Sequence, residues 1–110
     1  MRVFSGQRAW LLQRVTAIAI LVLLALGVVT LVVTDGSGYE KWRALAMSSH
    51  GAVLILLLFV AMAIHGWIGV RDIVLDYVKP PAIRLPLLGL IGLILVAVQV
   101  RVLMILMGQA

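Results

Sequence analysis

Charge along the chain is confined to short boundaries between long apolar runs, and the runs have the length of a lipid bilayer. Residues 15–34 are twenty consecutive uncharged positions, closed by Arg14 and Asp35. At ~1.5 Å per helical residue they reach about 30 Å, one hydrocarbon core. Residues 44–70 form a second run of 27, closed by Arg43 and Arg71 and interrupted only by His50 and His65. Such a length suits a tilted span, or one whose first turn lies among headgroups. A third run begins near Leu85, after Pro80, Pro81 and Arg84, with Pro86 suited to a first helical turn. It continues to about Met107 and carries Gln99 and Arg101 near its far end. The pattern predicts an all-α membrane protein of three transmembrane helices, over about 12–34, 44–78 and 85–107, in a single domain spanning 1–110.

Composition agrees with lipid as the solvent. Of 110 residues, 65% are hydrophobic and 12% charged, with a mean hydropathy of +1.23, whereas soluble domains are near half apolar and a quarter charged. A soluble domain of this size has too much surface to hide such a share. The absence of cysteine removes disulfides and thiol chemistry. A net charge of +5 could mark a nucleic-acid binder, but the nine basic residues form no run and sit at the edges of apolar segments. That placement excludes nucleic acid and leaves membrane lipid as the partner. Residues 34–36, Thr-Asp-Gly, open a turn where a signal peptide would need a cleavage site, so the first run reads as a retained helix. No Ser-rich amphipathic transit peptide precedes it, which points to a bacterial inner membrane. Arg2, Arg8 and Arg14 precede the first run without an acid, and Arg71, Lys79 and Arg84 follow the second. Lys41 and Arg43 stand beside Asp35 and Glu40, and only Arg101 marks the far end. The asymmetry puts the N-terminus and the second loop in the cytoplasm and the C-terminus in the periplasm.

His65 is the residue that most calls for chemistry. It lies six residues before Arg71, roughly 9 Å inside the cytoplasmic boundary, where an ionisable group is rare and faces a partner or a cofactor. Position alone leaves two readings, a neutral histidine bonded to a neighbouring helix and a metal ligand. Ala61 and Gly69, at i−4 and i+4, with Gly66 adjacent, offer a flat recess that suits a macrocycle, and the same small residues suit helix packing. Electron-transfer haem takes two axial ligands, often His. The only other histidine, His50, is fifteen residues away on the same helix, ~22 Å, so a second ligand has to come from another chain. Further along, Asp72 and Asp76 fall within about 20° of the His65 direction. With Tyr77 they form either an interfacial belt or a site able to bond a quinone carbonyl and pass it a proton. Arg14 opens helix one on the same side, where it either marks the interface or pairs with an anion such as a haem propionate. Trp67 lies deep enough to pack on a partner helix, and Gly89 and Gly92 permit a close crossing.

The stretch His65–Gly66–Trp67–Ile68–Gly69 followed by Asp76–Tyr77–Val78–Lys79–Pro80, with Arg14–Val15–Thr16–Ala17–Ile18 at the start of helix one, resembles the hydrophobic membrane-anchor subunit of succinate dehydrogenase, respiratory complex II. The likeness spans essentially the whole chain. It implies pairing with a three-helix cytochrome b556 subunit, with haem b held between one histidine from each, here His65. It implies a flavoprotein subunit carrying FAD and an iron–sulfur subunit carrying the clusters, which oxidise succinate and reduce ubiquinone. In that resemblance Tyr77 and Asp76 belong to the quinone site, Arg14 to the haem propionates, and this chain holds no complete active site. Arg71 has no counterpart role. Two other readings remain: the anchor of a fumarate reductase using menaquinone, and a small membrane transporter. The transporter is disfavoured because all four acids lie in loops or at helix ends.

Overall fold

The computed structural model describes residues 6–108. Arg2, counted above toward the charge asymmetry, lies outside them. The described chain is helical throughout: α1 (Gly6–Val33), α2 (Gly38–Met47), α3 (Ser49–Tyr77) and α4 (Pro81–Leu106). Three of these are long and apolar enough to cross a bilayer: α1 from Gln7, α3 and α4. A helix satisfies every backbone hydrogen bond within its own segment, which is what hydrocarbon demands. α3 is the central element, packed against both α1 and α4, with α2 lying against α1 and α3. Contacts fix the directions. Gln13 and Thr16 of α1 meet His65 of α3 while Gly27 and Leu31 share a cavity with Gly51 and Ile55, and Phe59 and Trp67 of α3 meet Gln99 and Gly92 of α4. Neighbouring helices therefore run antiparallel, and the start of α1 lies at the same end as the 78–80 connection.

Two departures from the expected segmentation have local causes. The second run is not one helix from residue 44. It breaks at Ser48, which is extended (φ −75°, ψ 149°) and caps both neighbours: its amide bonds back to the Ala44 carbonyl, and its Oγ accepts from the Gly51 amide at 3.0 Å. Ahead of the break, α2 begins at a capping box, in which Ser37 Oγ accepts from the Glu40 amide and Glu40 reaches back to the Ser37 amide. Its Tyr39, Lys41, Trp42 and Arg43 have the make-up of a helix lying in the headgroup layer. The last helix begins at Pro81 rather than near Leu85, with Pro80 as its cap and Pro86 inside it. Pro81 arrives with its φ already helical and no amide to satisfy.

Gly51 sets how closely α3 follows α2, because a Cβ there would overlap the Leu45 carbonyl and crowd Ser48 Oγ. The Gly51→Ala variant is expected to destabilise the chain by about 1–3 kcal/mol through overpacking, read as an earlier unfolding midpoint in mixed-micelle denaturation. At the other crossing, Gly92 faces the Trp67 indole, 3.5 Å from where a Cβ would stand, and Gln99 Nε2 donates to the Phe59 carbonyl at 3.1 Å. Interhelical hydrogen bonds in lipid average about 0.6 kcal/mol, because alternatives exist in the unfolded membrane state. Gln99→Leu is therefore expected to weaken the chain by no more than about 1 kcal/mol in the same assay, and a several-fold larger loss would contradict that role.

Candidate functional site

His65 sits where α3 crosses the first turns of α1, and α1 supplies its hydrogen-bond partners. The His65 Nδ1 atom lies 3.3 Å from the Gln13 carbonyl oxygen and 3.2 Å from Thr16 Oγ1. A carbonyl oxygen only accepts, so the Gln13 contact favours the tautomer with the proton on Nδ1. The Thr16 hydroxyl already donates to the Leu12 carbonyl at 2.8 Å and so meets Nδ1 as an acceptor. In that tautomer Nε2 carries the lone pair, the form in which imidazole binds a metal. The two sequence readings of His65 turn out to use different atoms: the bond to a neighbouring helix occupies Nδ1, and Nε2 is left over.

Beside this histidine lies a cleft of about 340 Å³ bounded by Trp10, Gln13, Arg14 and Ala17 of α1 and by Arg71 and Asp72 of α3. Arg14 stands over the Trp10 ring, 5.4 Å from its centroid, a cation–π contact that holds its exposed guanidinium at the mouth. Arg71 donates to Asp72 at 3.1 Å. Gln13 Oε1 is buried and has no hydrogen-bond donor among the described residues. The expected recess is built differently. Gly69 faces Gln13 of α1 and Ala61 is buried, so both serve the packing of α3, whereas Ala17 lines the cleft.

Asp76 and Tyr77, the other sequence candidates, end α3 outside this cleft. Both are exposed, Tyr77 by 81%. The backbone beneath them is held by Arg84 of α4, whose Nε donates to the Val78 carbonyl at 3.0 Å and whose guanidinium also reaches the Lys79 carbonyl at 3.2 Å. These carbonyls follow the last turn of α3 and have no partner within that helix. His50 is exposed in the first turn of α3, far along the helix from the cleft. Among the described residues, no three His, Asp or Glu side chains converge on a metal position, so any metal bound through His65 takes further ligands from elsewhere. Gln13, Thr16 and Arg71 line or contact the site, although sequence patterns assign them no role. The one available hint was the position of Thr16, two residues after Arg14 in the helix-one motif.

The sequence has counterparts among known proteins. The family model for the succinate dehydrogenase/fumarate reductase transmembrane subunit matches residues 2–101. The succinate dehydrogenase hydrophobic membrane anchor subunit of Coxiella burnetii (strain RSA 493 / Nine Mile phase I) is 40% identical over 93 residues, covering 83% of this chain and 79% of that protein. The chain is a multi-pass membrane protein that belongs to the family of succinate dehydrogenase and fumarate reductase transmembrane subunits.

Proposed function

We propose that this chain anchors a succinate:ubiquinone oxidoreductase in a bacterial inner membrane, with His65 as one axial ligand of a haem b shared with a cytochrome b subunit. The observation that carries the reading is the placement of His65 Nδ1 against the Gln13 carbonyl and Thr16 Oγ1 of α1. With the proton on Nδ1, Nε2 is left as a ligand. The surroundings fit the group. A cleft adjoins the ring, and Arg14 and Arg71 line it with positive charge, that of Arg71 shared with Asp72. Arg14 would hold a propionate by charge and hydrogen bonding. Bound there, haem b supplies a one-electron redox centre at the edge of the membrane.

Asp76 and Tyr77 contribute to the ubiquinone site, whose remaining walls belong to partner subunits. Their exposure leaves the phenol free to donate to a quinone carbonyl, and the carboxylate is placed to relay a proton. Arg84 keeps the segment in place through the Val78 and Lys79 carbonyls. The helices tether the flavoprotein and iron–sulfur subunits on the cytoplasmic side, which is the end carrying Arg8, Arg14, Arg71, Lys79 and Arg84. Haem and quinone analysis of the purified complex tests the reading. One haem b with bound ubiquinone supports it. Menaquinone in place of ubiquinone would assign the chain to the fumarate-reducing branch of the family, and a haem-free complex would overturn the ligand role of His65.

A further inference from the structure

The chain has three threonines, and all three return their hydroxyl proton to a carbonyl of their own helix: Thr16 to Leu12, Thr30 to Leu26 and Thr34 to Thr30. Such back-bonding is the ordinary fate of a threonine within an apolar helix. Thr16 differs from the other two in being buried, at 6% exposure, and in having the remaining side of its oxygen against His65 Nδ1 at 3.2 Å. The hydroxyl has one proton, and the shortest contact, 2.8 Å to the Leu12 carbonyl, takes it. The Gln13 carbonyl, 3.1 Å from the same oxygen, also accepts from Nδ1. The imidazole N–H is therefore shared between two acceptors within one turn of α1, the Gln13 carbonyl and the Thr16 hydroxyl, the latter oriented by the Leu12 carbonyl. A single acceptor leaves the ring free to swing about its Cβ–Cγ bond, whereas two acceptors on a rigid helix define a plane.

We infer that Thr16 is a positioning residue for His65. Its hydroxyl, oriented by the Leu12 carbonyl, accepts from Nδ1–H and fixes the plane of the ring that presents Nε2, while the Gln13 carbonyl selects the tautomer. The inference rests on the ligand role proposed for His65 and goes beyond it by naming the group that aims the ligand. Outer partners of ligating histidines raise ligand basicity and set ring orientation, and their loss lowers metal affinity by about 10–100-fold. Here the Gln13 carbonyl survives any side-chain change at Thr16, so the lower end of that range applies.

The test uses the assembled, haem-loaded complex with Thr16→Val, Thr16→Ser, Thr30→Val and His65→Ala chains. Valine keeps the shape of threonine and loses the acceptor, whereas serine keeps the acceptor. Two readouts are followed, the low-spin ferric EPR signal, which responds to the orientation of the axial imidazoles, and the rate of haem loss to an apoprotein acceptor. The expected result is a shifted EPR signal and about 10-fold faster haem loss for Thr16→Val. Thr16→Ser should return both toward the wild-type values, and Thr30→Val should leave both unchanged. A wild-type signal and loss rate in Thr16→Val, in a complex where His65→Ala abolishes the low-spin signal, would overturn the role of Thr16 alone. Equal shifts in the valine and serine variants would do the same, since the hydroxyl would then be irrelevant. A low-spin signal that survives His65→Ala would overturn the ligand role of His65, and the inference with it.

Discussion

His65→Ala is expected to abolish the six-coordinate, bis-imidazole spectrum of the complex and to lower its haem content severalfold or more. Alanine removes the only imidazole this chain places at the cleft, since His50 lies at the far end of α3. The partner's ligand alone would then hold a five-coordinate iron with weaker retention. Removal of an interior polar anchor also loses the His65 hydrogen bonding to the Gln13 carbonyl and the Thr16 oxygen, a further cost of about 0.5–1.5 kcal/mol. Reduced-minus-oxidised spectra and pyridine haemochrome content of the purified complex provide the check. Unchanged Soret and α-bands would contradict the assignment, whatever the growth phenotype.

The second large effect is expected at Tyr77. In Tyr77→Phe the ring remains and the phenolic donor is lost, which at a substrate carbonyl costs about 1–3 kcal/mol. Because ~1.4 kcal/mol corresponds to a factor of ten, succinate:quinone reductase activity should fall by about 5- to 100-fold. Oxidation of succinate with a soluble artificial acceptor should stay at the wild-type rate, since that chemistry lies in other subunits. The side chain is 81% exposed on this chain, so the substitution removes no interaction inside it. Parallel loss of both activities would indicate failed assembly, and full quinone reductase activity would remove Tyr77 from the site.

The spans were legible because lipid imposes a simple rule: about twenty uncharged residues per crossing, with charges at the ends. The short helix α2 was not, because Glu40, Lys41 and Arg43 make its stretch look like a loop to any measure of hydropathy. Its capping box, Ser37 with Glu40, was nevertheless present in the sequence. The break at Ser48 was hidden within an uninterrupted apolar run, and only the serine followed three residues later by Gly51 marks it. His65 was legible as a costly group at depth, and Arg14 as a cation on the same side. The partners of His65 were not, because Gln13 and Thr16 reach it only through the rotation and register of α1 against α3, which no local pattern encodes. Arg71 points the same lesson: it lies well off the His65 direction on an ideal helix, yet its long side chain brings it to the same cleft.

Chemical rescue tests the central claim most directly. Ferric complex containing His65→Ala should show a high-spin, five-coordinate haem that converts to the low-spin, six-coordinate spectrum as free imidazole is titrated in, with saturation, because the ligand fills the space the side chain vacated. Wild-type complex should show no response over the same range. A variant that is already low-spin and six-coordinate without imidazole would contradict the account, since the sixth ligand would then come from somewhere other than His65.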